Sequence, residues 1–388
     1  MELSLPFFDE SHRQLNDKVR QLCDERLAIL ASSEIEDATS IAVDYIALLG
    51  QEGLFDPALG GALEGEAPRP DLRALCVVRA LLGRTSGLCD GAFGAHVQGL
   101  YPIALCGNED QRAIFLPGMA SGQTVVAVAL LDGDSPCVVS TTEGGYVLSG
   151  GKQLVPLAPI ASQLVVLARH RASSPTEVPR YSMFVVDAGL CKITPDAFVS
   201  PLPVGSISFD NVEVDVDARL GGEGQGLMIA QTSLDMMRLP AAAGCLGIAR
   251  HALFDGVGVL LKRGVGGRPL REQQAAMYRL GDAVTQVDAA FALVQSAAYR
   301  RDTTTSRESK GTTMARQLSQ DAAESACLAV SDLMGLRGLS TTDPWTRFLA
   351  EVRALRLETE FLENARTVVA QSLIASVEAE KKRGASGA

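Results

Sequence analysis

Apolar positions recur at helical spacing from residue 9 to about 120. Leu15, Val19, Leu22 and Leu27 form one stripe, and Tyr45, Leu48, Leu49 and Leu54 form a second that is punctuated by Gly50 and Gly53. The Pro- and Gly-rich tract 57–70 predicts a loop ahead of a helix carrying Leu72 to Leu82. From 121 to 220 the pattern changes to short β-branched or aromatic runs between turns. These are Thr124–Leu131, Tyr146–Leu148, Leu164–Ala168 and Tyr181–Val186, which read as a small barrel or sandwich. Helical spacing returns over 227–300, 307–336 and 343–382, which predicts a helix bundle with a fraying tail from Glu378.

The change between the second and third regions is sharp. Ile207, Phe209, Val212, Val214 and Val216 are spaced as a β ribbon with one bend at Asp210–Asn211. Gly221, Gly222, Gly224 and Gly226 break that ribbon, and from Leu227 the apolar period rises from two to nearly four. The expected organisation is therefore an α-helical region over 1–120, a β region over 121–226 and a helical bundle over 227–388.

Composition narrows the function classes. With 47% hydrophobic residues in 388, the chain can bury a large core. A net charge of −11 opposes a nucleic-acid or anionic-membrane surface, which needs concentrated Lys and Arg. The start of the chain does not read as a signal peptide, so a cytoplasmic location is expected. Eight cysteines without Cys-x-x-Cys spacing read as reduced core thiols. Four scattered histidines, none with an i,i+4 carboxylate or histidine partner making a ligand set, give no metal site.

The stretch from Pro201 to Leu227 resembles the hinge of the acyl-CoA dehydrogenase family, where an FDNV-type run closes a central β domain and enters a C-terminal bundle. Cys106–Gln123 resembles a second motif of that family, and Arg263–Gln274 is similar to a third in worn form. The likeness is collinear over almost the whole chain. It implies an α+β fold with an N-terminal helical domain, a central β-barrel or sandwich domain and a C-terminal four-helix bundle.

It also implies a reaction. In this family a glutamate removes the proton beside a thioester carbonyl while the flavin of FAD takes a hydride from the neighbouring carbon. Counted without gaps from Gly338 and Pro344, the position of that base falls on Thr359, which Glu358 and Glu360 flank. Either carboxylate serves as the base if the segment shifts slightly, with Glu360 preferred, or both are solvated surface acids. An alternative position on the first bundle helix is Met237, which cannot accept a proton, and Arg238 beside it matches an arginine that organises the site.

The implied flavin contacts are retained in part. Arg263 matches an arginine that reaches a neighbouring subunit's flavin diphosphate, Gln274 matches a glutamine at the adenylate end, and Gly267 and Pro269–Leu270 keep the spacing. Leu131, Gly133 and Ser135 stand in the loop beside the flavin, with N–H groups of Gly133 and Ser135 as phosphate donors or as parts of an ordinary turn. Val155, Pro156 and Gly335 complete the set. Leu154 and Pro156 replace the aromatic cover and the hydroxyl donor of the family's strand, Gly266 replaces a phenylalanine and Asp332 replaces a glutamine.

The expectation is thus an FAD-dependent dehydrogenase acting on an acyl-CoA or an acyl-carrier-protein thioester in a specialised, secondary-metabolite pathway. It would pass electrons to an acceptor such as an electron-transfer flavoprotein and assemble as a homodimer or homotetramer, with no nucleic-acid or membrane partner. Two alternatives follow from the departures: a flavin-poor member that binds an acyl group or a partner subunit, and a flavin monooxygenase relative that dispenses with the base.

Overall fold

The computed structural model describes residues 6–171, 178–266, 268–304, 309–360 and 365–386. Gly267 lies outside them. The first region holds helices α1 (Glu10–Leu22), α2 (Ala38–Gln51), α3 (Leu72–Thr85), α4 (Gly87–Cys106) and α5 (Glu109–Ala120). Their starts are set by capping side chains that accept otherwise unpaired N–H groups. Asp71 Oδ1 accepts from Ala74 N at 2.9 Å, Ser86 Oγ from Cys89 N at 3.0 Å and Asn108 Oδ1 from Gln111 N at 2.8 Å. Gln111 returns a bond from Asn108 N and also donates to Asp217 O and Arg219 O, tying α5 to the end of the β region.

Eight strands then build one sheet: β1 (Val126–Ala129), β2 (Val138–Thr141), β3 (Gly145–Pro156), β4 (Gln163–His170), β5 (Tyr181–Asp187), β6 (Lys192–Pro195), β7 (Val204–Asp215) and β8 (Arg219–Leu220). The order is β6-β7-β3-β2-β4-β5-β8, with β1 joining β4 in parallel. The bend expected at Asp210–Asn211 is a bulge inside one continuous strand. Pairing with β3 shifts between Leu148 and Gly150, and Asn211 takes a φ of 53°. Val216 leaves the ribbon and sits in the single helical turn that follows.

The third region contains α6 (Gly226–Leu260), α7 (Gln274–Thr303), α8 (Ser309–Met334), α9 (Trp345–Glu360) and α10 (Ala365–Ser386). The backbone stays helical through the tail to Ser386, where fraying was expected from composition. α6 is long and apolar enough to span a bilayer, yet 61% of its apolar window is buried inside the protein. It packs against α3 because glycine permits close approach. A Cβ at Gly83 would lie 2.5 Å from Gly244 O, and one at Gly247 would lie 2.4 Å from Ala80 O.

All eight cysteines are free, and six of them are buried. No cluster of three or more metal-ligating side chains forms among the described residues. His251 Nε2 lies 3.4 Å from Asp255 Oδ2 one turn on, a pair of two side chains that makes no larger cluster among the described residues.

Candidate functional site: an apolar channel along α4

α4, β1, β3, α6 and α9 enclose a cavity of about 220 Å³. Its walls are mainly aliphatic, with Val128, Leu130, Leu131, Leu154, Val155 and Pro156 on the sheet side and Leu234, Ala354 and Leu355 from the bundle. Gly87, Gly91 and Gln98 line it from α4. Helical geometry places these three within roughly 40° of one another and spreads them over about 16 Å. The cavity is therefore a channel running along one face of α4. Missing side chains at Gly87 and Gly91 leave room for it.

The two ends of the channel differ. Near Gln98 it meets the sheet, since a Cβ on the adjacent Gly99 would touch the Val126 side chain at 2.9 Å. The Gln98 side chain is buried, and its Nε2 has no hydrogen-bond partner among the described residues. Near Gly87 the channel ends on Glu351: a Cβ on Gly87 would lie 2.1 Å from Glu351 Oε2. Glu351 is 2% exposed, and neither carboxyl oxygen has a hydrogen-bond partner among the described residues.

Burial pushes the Glu351 carboxyl up to about 8. The Arg347 guanidinium opposes that rise, while the charges of Glu34 and Asp90 add to it. Arg347 Nε stands 3.5 Å from Glu351 Oε1, and its Nη1 stands 3.6 Å from Glu34 Oε2. Glu34 is itself buried and accepts from Tyr45 OH at 2.7 Å and from Ser86 Oγ. Asp90, one turn past Gly87, is held by a fully buried bidentate pairing with Arg79, both bonds 2.7 Å. At neutral pH the channel thus ends on a neutral carboxylic acid that can donate one hydrogen bond and accept another.

The side wall near the sheet carries a local distortion. Leu154 has a φ of 53°, at a bulge where β3 slips against β7 between Lys152 and Val155. Lys152 Nζ, buried, fastens the preceding loop by donating to Asp132 Oδ1 at 2.6 Å and Leu130 O at 2.9 Å.

Of the residues singled out in sequence, Leu131, Val155 and Pro156 share this channel. Gly133 and Ser135 do not line it. The Gly133 N–H is donated to Gly151 O at 3.1 Å, which removes it as a phosphate donor, and Ser135 borders a separate cavity beyond β3. Arg238 turns to Asp235 at 3.3 Å and does not line the channel. Arg263 donates to Leu333 O and Met334 O at the end of α8, next to Gly335 with its φ of 61°. The Gln274 side chain donates to Tyr278 OH. Glu358 and Glu360 fall on the last turn of α9, and their side chains, like that of Thr359, lie outside the described residues.

Sequence reasoning missed Glu351, Gln98, Gly87 and Gly91. A signal existed for the first: Trp345, Phe348, Val352 and Leu355 make the buried stripe of α9, and Glu351 interrupts its flank.

Residues 9–123 match the profile of the acyl-CoA dehydrogenase N-terminal domain, and residues 224–374 match that of its C-terminal domain. The chain is 28% identical over 346 residues to a 3-(aryl)acrylate reductase of Clostridium sporogenes, covering 86% of this chain and 89% of the relative. It is 30% identical over 291 residues to an acyl-CoA dehydrogenase of Bacillus subtilis, covering 71% and 75%. A glutaryl-CoA dehydrogenase of Mycobacterium smegmatis, solved in complex with FADH2, shares the fold with a TM-score of 0.80 at 18% identity, covering 95% of each chain.

Proposed function

The chain belongs to the acyl-CoA dehydrogenase family, a family of oxidoreductases acting on CH–CH groups, and from that premise we propose that it is an FAD-dependent enzyme that desaturates an acyl thioester in a specialised pathway. The observation that carries this reading is the channel: a mainly aliphatic passage along α4 whose walls include Leu131, Val155 and Pro156. An acyl chain fits such walls because burying each methylene is favourable by about 0.8 kcal/mol.

The residues on the sheet side suit a flat ring. Leu131, Val155 and Pro156 all line the cavity and would hold the flavin, and Pro156 has no backbone N–H to offer it. When bound, FAD supplies the acceptor for the hydride. The chain itself must bind and orient the thioester, exclude water and take the proton. The carboxylates at the last turn of α9, Glu360 or Glu358, are the proposed acceptors of that proton, and Arg238 on α6 is the proposed organising arginine. Arg263 and Gln274 would serve a neighbouring copy, so a homodimer or homotetramer belongs to this reading. The carrier is coenzyme A or a carrier protein, the electron acceptor an electron-transfer flavoprotein, and the location cytoplasmic.

The internal engagement of Arg263 and of the Gly133 N–H favours a second reading, a flavin-poor member that binds an acyl group without redox chemistry. Incubating purified protein with FAD, removing the excess and quantifying flavin after denaturation separates the two. Near-stoichiometric FAD supports the enzyme, and protein that stays colourless supports the binding member.

A further inference from the structure

Gln98 presents the channel with a hydrogen-bond donor that a hydrocarbon chain cannot serve. It follows Gly91 by seven residues on α4, so helical geometry turns both to one face, within roughly 20° of each other. That face lines the channel. Gln98 is 4% exposed, and its Nε2 has no hydrogen-bond partner among the described residues. The other neutral polar side chains of the lining are placed differently: Gln153 is exposed to solvent, and Ser200 Oγ accepts from Leu202 N at 3.5 Å. An alkyl chain filling the channel would expel water from the Gln98 amide and return no acceptor, which costs about 1–3 kcal/mol.

We propose that Gln98 is a specificity-determining residue, donating from Nε2 to a neutral oxygen, a hydroxyl or a carbonyl, carried by the substrate's acyl chain in addition to its thioester carbonyl. This rests on the acyl-thioester reading above and narrows it to oxygen-bearing acyl groups.

Burial indicates which part of a thioester meets the amide. Coenzyme A or a carrier protein is too large for a cavity of about 220 Å³ and stays outside, past the exposed lining residues Gln153, Leu154 and Phe198. Gln98 belongs to the buried wall, which the acyl chain fills. Charge then selects the kind of oxygen. No Lys, Arg or His lines the channel among the described residues, so a carboxylate at Gln98 would be buried without a counter-ion. An ammonium has no lone pair with which to accept from Nε2. A hydroxyl or carbonyl oxygen accepts without burying a charge.

The test is calorimetric binding to purified, FAD-treated protein of octanoyl-CoA, of the series bearing one hydroxyl at C4 through C8, and of the thioester whose chain ends in a carboxylate. At one or two adjacent positions the hydroxyl is expected to tighten binding about 10-fold over octanoyl-CoA. Gln98→Leu should abolish that gain and bind octanoyl-CoA more tightly than wild type does. Its thermal midpoint should be no lower, because an unpaired buried donor is removed. Should that variant fail to fold, Gln98→Met makes the same comparison. A keto analogue at the preferred position gives a readout that needs no variant: its carbonyl stretch should drop on binding below its value in a hydrocarbon solvent.

The specificity site is overturned, with the acyl-thioester reading left intact, if no hydroxyl position exceeds octanoyl-CoA, if the carboxylate-ended thioester binds tightest, or if the keto stretch stays at its hydrocarbon value. A preference that survives in Gln98→Leu overturns it too. An equal loss for every thioester in Gln98→Leu assigns the amide to the thioester carbonyl and likewise overturns it. Failure of wild-type protein to bind any of the thioesters overturns both readings.

Discussion

Glu34 and Glu351, from opposite ends of the chain, share one guanidinium: Arg347 Nη1 lies 3.6 Å from the first and Nε 3.5 Å from the second. Both carboxyl groups are buried, so the charge of Glu34 acts on Glu351 with little screening. Glu34→Gln removes a charge that pushes the Glu351 carboxyl up, and the infrared titration of Glu351 should fall below its value of about 8. Arg347→Gln removes the opposing charge and should move the same titration upward. A Glu351 titration that does not move in Glu34→Gln would mean that the two acids are not coupled.

Stability should depend on pH through the same group. The Glu351 carboxyl is raised from 4.5 to about 8 in the folded protein, so the folded state favours the protonated form. The corresponding stability is fully present below about 4.5 and is lost as pH rises through about 8. Glu351→Gln cannot ionise. Urea midpoints should fall for wild type between about pH 4.5 and 8 and stay flatter for the variant, making Glu351→Gln the more stable protein at the alkaline end.

His96 sets the acid limb. Burial pushes its imidazole down to about 4, and the ring bridges Met119 O at 2.9 Å and Val126 N at 3.4 Å, joining α4 to the end of α5 and to β1. A neutral ring donates to the carbonyl and accepts from the amide, which a protonated ring cannot do. Its contribution is present above about 6.5 and is lost as pH falls through about 4. His96→Gln should lower neutral-pH stability by about 1–2 kcal/mol and weaken the pH dependence between those limits, as read by denaturant melts.

Two glycines on one face of α4 should behave differently. Gly87→Ala forces its Cβ against Glu351 Oε2 at 2.1 Å, so overpacking should cost about 1–3 kcal/mol. A Cβ at Gly91 would meet Leu202 at an ordinary 3.5 Å. Gly91→Ala should leave the thermal midpoint nearly unchanged while weakening binding of long acyl thioesters, because it narrows the channel at midpoint.

The buried pair beneath the channel should be costly to break. Arg79 and Asp90 are both fully buried and joined through two bonds of 2.7 Å. Arg79→Met leaves the Asp90 charge uncompensated and should destabilise by about 3–5 kcal/mol. Pairing it with Asp90→Asn should recover part of that loss in urea unfolding.

The sequence made the fold legible where periodicity was long and uninterrupted. The change from period two to period four at Leu227 marked the entry to α6, and the Asn108–Gln111 spacing contained the cap of α5. The site was less legible because its decisive features are spatial. Glu351 looks like any helical acid next to Arg347 until Gly87 is folded against it, and nothing local to Gln98 shows that its amide is enclosed. Motif matching led to Glu358 and Glu360, both C-terminal to Glu351 on the same helix, because it compares positions along the chain and does not detect a carboxylate enclosed by residues from α4 and from the segment before α2.

Anaerobic mixing of FAD-loaded protein with a series of acyl thioesters tests the central claim most directly. The account predicts that the flavin absorbance bleaches with at least one thioester, with one flavin reduced per double bond formed. Protein that holds FAD and binds the thioesters but leaves the flavin oxidised, or that never takes up FAD, would contradict it.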